Sequence, residues 1–310
     1  MPAYLESLTL RLALGLESLP DDARQRHATF LKGFQQPDGG FRGREGGSDL
    51  YYTGFALRGL ALLGHLEGEV ADRAAAYLRS QLSRQVPMVD FLSLIYGAAL
   101  LNFAAGIDVF EASAAGWQQN IAAALEAFRR EDGGYAKTDE GAASSMYHTF
   151  LVVLSQQLIE QPVIEPERIA AFVRSRKRDD GGFVEMPQMK RSGTNPTAAA
   201  IGLLRILDAL DESTRESTLD FLVEMQTDEG GLRANTRIPI ADLLSTFTGC
   251  LTLADLGALD EIDVPAIRRY ARELEQPAGG FLGAIWDEVA DVEYTFYGLG
   301  TIALTGGFQV

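Results

Sequence analysis

Five glycine pairs punctuate the chain, each followed by an aromatic or apolar residue: Asp38-Gly39-Gly40-Phe41, Asp132-Gly133-Gly134-Tyr135, Asp180-Gly181-Gly182-Phe183, Glu229-Gly230-Gly231-Leu232 and Ala278-Gly279-Gly280-Phe281. The last four lie 48 or 49 residues apart, and the first gap of 94 residues holds two such periods with one degenerate copy inside. A fixed period of this length marks a repeat architecture, in which each unit buries its apolar face only against its neighbours. The glycines, free to take positive φ, are expected to close the turn that leads from one helix into the next loop.

Between glycine pairs the pattern alternates two kinds of helix. Segments at about 48–64, 88–105, 143–160, 195–210, 240–256 and 289–305 are apolar on nearly every side, as in Asp49 to Gly64. Segments at about 21–36, 68–83, 112–130, 165–177, 212–226 and 262–275 have one wet face, as in Glu69 to Leu82. Helices apolar all round cannot lie on a surface, so six inner helices enclosed by six outer ones are expected, with an additional N-terminal helix near 3–17. Strand-type alternation is nearly absent. The expected fold is all-α, a single α/α-toroid domain over residues 1–310.

Composition narrows the function classes. The chain has 46% hydrophobic residues, enough for a sizeable core, and 27 Lys plus Arg against 43 Asp plus Glu, a formal charge of −16. That balance repels nucleic acid and anionic membranes, so an anionic substrate must meet a local basic patch. The single cysteine, Cys250, excludes an internal disulfide and a multi-cysteine metal site. Residues 1–19 carry Glu6, Arg11 and Glu17 within their apolar pattern, unlike a signal peptide, and no stretch approaches the length of a membrane span. A cytoplasmic protein is expected.

An outer helix, then Asp-Gly-Gly-Phe, then Asp49-Leu50-Tyr51-Tyr52-Thr53 or Asp242-Leu243-Leu244-Ser245-Thr246 opening an inner helix, resembles the repeat of protein prenyltransferase β subunits, shared with squalene and oxidosqualene cyclases. The resemblance covers almost the whole chain and implies an α/α toroid whose inner helices surround an aromatic-lined cavity for an isoprenoid. It also implies a catalytic zinc held by an Asp and a Cys two residues later at the head of the fifth inner helix and a His at the head of the sixth. Asp242 matches the Asp, but Leu244 stands at the Cys position and Tyr294 at the His position, so zinc-activated thiol chemistry is not expected. Cys250 lies two turns further along the helix and cannot substitute.

Asp49, Asp242 and Asp291 each precede a Thr by four residues, and each also reads as a simple helix N-cap. In the cyclase branch an acid at an inner-helix head protonates an alkene; Asp291-Val292-Glu293-Tyr294-Thr295 resembles a broken copy of that motif, with Glu293 at the donor position or else a solvated helix-end residue. Tyr147-His148-Thr149 echoes the zinc-histidine motif but sits in the third repeat, where His148 is either a diphosphate contact or a satisfied core residue. Fixed positive charge for a diphosphate is offered by loop residues Arg42, Arg44, Lys137, Lys190 and Arg191, and above all by Arg233 and Arg237, which are otherwise solvated loop charges. Tyr52, Phe247, Tyr294 and Tyr297 are the expected aromatic wall, able to stabilise cation character.

The leading expectation is a prenyltransferase-like protein that binds or transfers a prenyl group from a prenyl diphosphate without zinc, with Asp242 and Glu293 as the candidate catalytic residues. Mg²⁺ is left open as the companion of a diphosphate. A non-catalytic scaffold of the same fold and a cyclase-like enzyme using Glu293 are the alternatives. The β subunits it resembles work with a helical α partner, so an α-subunit-like helical partner is one expectation and a homo-oligomer another, and the sequence encodes neither.

Overall fold

The computed structural model describes residues 3–82, 87–140 and 142–306. Helix α1 (Tyr4–Gly15) precedes an alternating series of outer and inner helices. The outer ones are α2 (Asp21–Lys32), α4 (Gly68–Gln81), α6 (Trp117–Leu125), α8 (Pro166–Ser175), α10 (Glu212–Val223) and α12 (Val264–Leu274). The inner ones are α3 (Leu50–Leu62), α5 (Met88–Ala105), α7 (Met146–Leu158), α9 (Thr194–Ile206), α11 (Leu243–Asp255) and α13 (Val292–Thr305). Burial separates the two kinds: eleven of the 14 residues of α13 are buried, but only four of the 12 in α10. One two-residue antiparallel pair, β1 (Tyr135–Ala136) with β2 (Ser144–Ser145), is the only named sheet among the described residues.

Two expectations need amendment. The outer helix expected at 112–130 begins only at Trp117, because Gly116 takes φ 80°, and it closes in a 3-10 turn at Glu126–Phe128. Helix α5 is, by length and composition alone, sufficient to cross a membrane, but 56% of it is buried inside the protein, against α3 and α4. The degenerate glycine turn expected between α4 and α5, and the last residue of the helix expected at 68–83, lie outside the described residues.

The chain divides into two compact units, Met1–Trp117 with Ala271–Val310, and Gln118–Tyr270. In the first, α3 packs between α5 and α13, α2 and α4 lie against α3 and α5, and α1 packs on α13 and α3. The two ends of the chain meet here: Glu275 accepts hydrogen bonds from Arg26 (2.6 Å), Arg272 (2.7 Å) and His27 Nε2 (3.1 Å). The Gly280 N–H donates to His27 Nδ1 at 3.1 Å, which fixes the tautomer that donates from Nε2. In the second unit, α9 packs between α7 and α11, with α8 against α9 and α10 against α11.

The same turn is built in both units. At Asp180-Gly181-Gly182-Phe183, Gly181 takes φ 87° and lies against the Ser217 carbonyl of α10, while a Cβ on Gly182 would stand 2.8 Å from the Phe221 ring. The first glycine is therefore required by conformation and the second by the approach of the next outer helix. Asp180 accepts from the Gly182 N–H (3.1 Å) and the Ser192 hydroxyl (2.7 Å). The Phe183 N–H, which points inward, donates to Thr197 Oγ1 at 2.9 Å. Thr53, Thr149, Thr246 and Thr295 hold Phe41, Tyr135, Leu232 and Phe281 in the same way, at 2.8–3.3 Å. The threonine near the heads of α3, α7, α9, α11 and α13 is thus a lock between loop and helix, satisfying a buried donor that would otherwise be orphaned.

Candidate functional site

In the first unit, α13 packs against α3, and residues at the heads of the two helices, each reached by a loop that follows a glycine pair, bond to one another. Asp49 caps α3 by accepting from the Tyr52 N–H (3.1 Å), and Asp291 caps α13 by accepting from the Tyr294 N–H (2.9 Å). Arg44, in the loop before α3, donates to Asp291 Oδ2 at 2.7 Å and bidentately to Asp287 at 2.9 and 2.5 Å. Its pKa rises through these carboxylates, chiefly Asp287, against the opposing effect of burial. Arg44 also lies over the Tyr294 ring, 5.6 Å from its centre.

In the first turn of each helix, the Tyr51 hydroxyl donates to Glu293 Oε1 at 2.7 Å, and the Tyr297 hydroxyl donates to it at 3.4 Å from the next turn of α13. Burial raises the Glu293 pKa; the Tyr51 hydrogen bond opposes this and the Asp291 charge adds to it. Around this carboxyl the rings interlock: Tyr51 with Tyr52 (5.3 Å) and Phe55 (4.9 Å), Phe55 with Tyr297 (5.3 Å) and Phe296 (5.7 Å), and Tyr294 with Tyr297 (6.1 Å). Tyr52 has its pKa raised by burial and then by the nearby Glu293 and Asp291 charges. Four of the residues expected from sequence, Tyr52, Glu293, Tyr294 and Tyr297, therefore belong to one cluster.

The other five lie in the second unit. Asp242 caps α11, its Oδ1 accepting from the Ser245 N–H (2.7 Å) and its Oδ2 from the Ser245 hydroxyl (2.8 Å), and burial raises its pKa. Phe247 is buried on the same helix. His148, in the first turn of α7, has Nδ1 2.8 Å from Ser145 Oγ, and its pKa is lowered by burial and then by Lys137. Arg233 donates to the Glu224 carbonyl at the end of α10 (2.9 Å), which is a helix C-cap contact. Arg237 is exposed in the loop before α11.

The donor set does not fit zinc. Both oxygens of Asp242 are engaged by Ser245, Leu244 has no ligating atom, and the Cys250 thiol is fully buried with its pKa pushed up to about 12. Among the described residues no three His, Cys, Asp or Glu side chains gather as a metal site.

Sequence reasoning passed over two parts of the first-unit site. Asp287, which clamps Arg44, carries no motif. Arg58 sits in the middle of α3 as the one charged residue of that helix, and that isolation was the signal available. Its guanidinium lies over Phe55 (4.6 Å), Tyr96 (4.8 Å) and Phe296 (5.8 Å).

Comparison with known proteins places the chain. The protein farnesyltransferase subunit beta of Pisum sativum is 26% identical over 143 residues, 46% of this chain, and the match spans about a third (33%) of that relative's length. Candida albicans protein geranylgeranyltransferase-I complexed with GGPP superposes with a TM-score of 0.75 at 16% identity, covering 91% of this chain and 90% of that one. A type II terpene cyclase from Scytonema in complex with geranylgeranyl dihydroxybenzoate gives 0.65 at 13% identity, covering 97% and 99%. At these identities the two structural likenesses are of fold. The family model for the prenyltransferase alpha-alpha toroid domain matches residues 4–237 and 199–309, and the chain, an all-α toroid by fold class, belongs to that family.

Proposed function

We propose that this protein binds a prenyl group, delivered as a prenyl diphosphate, between its inner helices and handles it without zinc. The observation that carries the reading is the cluster at the heads of α3 and α13, where aromatic faces from both helices surround a carboxyl that burial favours in its neutral form. Such faces suit an isoprenoid chain and stabilise allylic cation character. In the second unit, taken by itself, exposed Arg237 and half-buried His148 are proposed contacts for an anion such as a diphosphate, with Mg²⁺ as its companion. Arg233 serves the same loop indirectly, by anchoring it to α10. Asp242 acts by capping α11 rather than by touching the reacting atoms. The pea relative is by name one subunit of a larger enzyme, and a partner chain, helical or a second copy of this one, is the proposed companion here.

A second reading draws on Glu293 itself. A carboxyl whose pKa burial raises, with Tyr51 and Tyr297 on one oxygen, is placed to act as a general acid on a bound isoprenoid.

Titration with farnesyl and geranylgeranyl diphosphate tests the main reading, because a ligand that binds only the native state stabilises it by about 2.7 kcal/mol at a hundredfold excess over Kd. A rise in melting temperature that saturates with ligand is expected. No shift with either compound at millimolar concentration would end the reading.

A further inference from the structure

We propose that Arg58 is the anchor of a binding site for an acidic oxygen group on the ligand, a carboxylate or a phosphate, held about 13 Å down α3 from its head. The inference rests on the isoprenoid reading above and adds a contact, within the first unit, for an acidic group on the ligand.

Arg58 follows Tyr51 and Phe55 at helical spacing, so it shares the face that α3 turns toward α13 and α5. Three rings from three helices surround its guanidinium, and no carboxylate among the described residues pairs with it. Its Nε is buried with no acceptor. Arginines in apolar surroundings are ordinarily paired, and an unpaired one is costly. Arg58 is half-buried, and cation–π contacts offset part of that cost, but they engage the face of the guanidinium and leave the buried Nε–H without an acceptor.

Glu293 feels the charge of Arg58, the last-ranked of the effects on its pKa and one that lowers it, but forms no ion pair with it. Glu293 takes its hydrogen bonds from Tyr51 and Tyr297, and burial favours its uncharged form. A cation with a free Nε–H donor, walled by Phe55, Tyr96 and Phe296, therefore meets a purely hydrocarbon tail poorly and an oxygen anion on an apolar body well.

The test compares farnesoic acid, farnesyl diphosphate and farnesol by isothermal titration calorimetry on the full chain and on Arg58→Met and Arg58→Lys. Arg58→Met is expected to weaken the acid, the diphosphate or both by at least tenfold and to leave farnesol unchanged, with Arg58→Lys between; which anion responds identifies the group held. The melting temperature of unliganded Arg58→Met should be equal or higher, since an unpaired charge has been removed. Three results would overturn the assignment. The first is ligands that bind but do not respond to Arg58→Met, which leaves the isoprenoid reading intact. The second is an equal loss for all three ligands together with a lower melting temperature, which makes Arg58 structural. The third is no binding by the wild type, which ends both.

Discussion

Glu275, at the end of α12, draws together Arg26 and His27 of α2 and Arg272 of its own helix, and so fastens the last glycine turn to the first outer helix. Its side chain is only 11% exposed. The His27 hydrogen bond, against the opposing effect of burial, and then those from Arg272 and Arg26 lower its pKa from the ordinary 4.5 to about 2. A carboxylate favoured to that degree contributes roughly 3 kcal/mol of folding stability at neutral pH. Because the folded-state value is the depressed one, the contribution is complete above about pH 4.5 and disappears as the pH falls toward 2. Glu275→Gln removes the titrating group while keeping a side chain of the same shape. Urea unfolding followed by circular dichroism at pH 7, 4.5 and 3 should show wild type more stable than Glu275→Gln by roughly 3 kcal/mol at pH 7 and by less than half of that at pH 3. A gap of the same size at both pH values, or no gap at pH 7, would refute the assignment of this carboxylate as the fastener.

Other expectations follow from the same contacts. Thr197→Val leaves the Phe183 N–H without its acceptor and should cost about 1–3 kcal/mol, whereas Thr197→Ser should lose much less; thermal denaturation separates them. Gly181→Ala combines a positive φ with contact against the Ser217 carbonyl and should cost at least about 2 kcal/mol, while Gly257→Ala, at φ 68° in open space, should cost about 1 kcal/mol. Tyr51→Phe removes a donor to the Glu293 carboxylate, so the Glu293 titration midpoint, read by carbon NMR of its carboxyl, should move further up; an unchanged or lower midpoint would contradict the geometry. Metal analysis of the purified protein should find no tightly held zinc, and one ion per chain would overturn the zinc-independent reading.

The helices were legible because apolar residues on every side of a segment admit only burial, and the inner helices accordingly fall within a few residues of their expected ends. The DGG turns were legible for a related reason: only glycine tolerates φ near 90° beside a neighbouring carbonyl. What periodicity could not supply was the partner of each polar group. Asp242 reads from sequence both as an N-cap and as a candidate catalytic residue, and its carboxylate caps α11; the part of the Thr246 hydroxyl, which locks the Leu232 N–H, had no sequence signal. Arg233 looked free for a phosphate, yet its N–H reaches the Glu224 carbonyl, a contact between segments that no local pattern encodes. The aromatic wall was found in part, since Tyr52, Tyr294 and Tyr297 stand at helix heads. Arg58 was missed because a charge in mid-helix breaks the pattern that sequence reading follows, and only three rings from three helices give it meaning.

The central claim is that a prenyl chain lies against the inner face formed by α3 and α13. Photo-crosslinking with a farnesyl diphosphate analogue carrying a diazirine on its chain, followed by peptide mapping, tests it most directly. The account predicts adducts on residues 50–62 and 292–305, suppressed by excess unlabelled farnesyl diphosphate. Adducts confined to the outer helices, or labelling that excess ligand does not suppress, would contradict it.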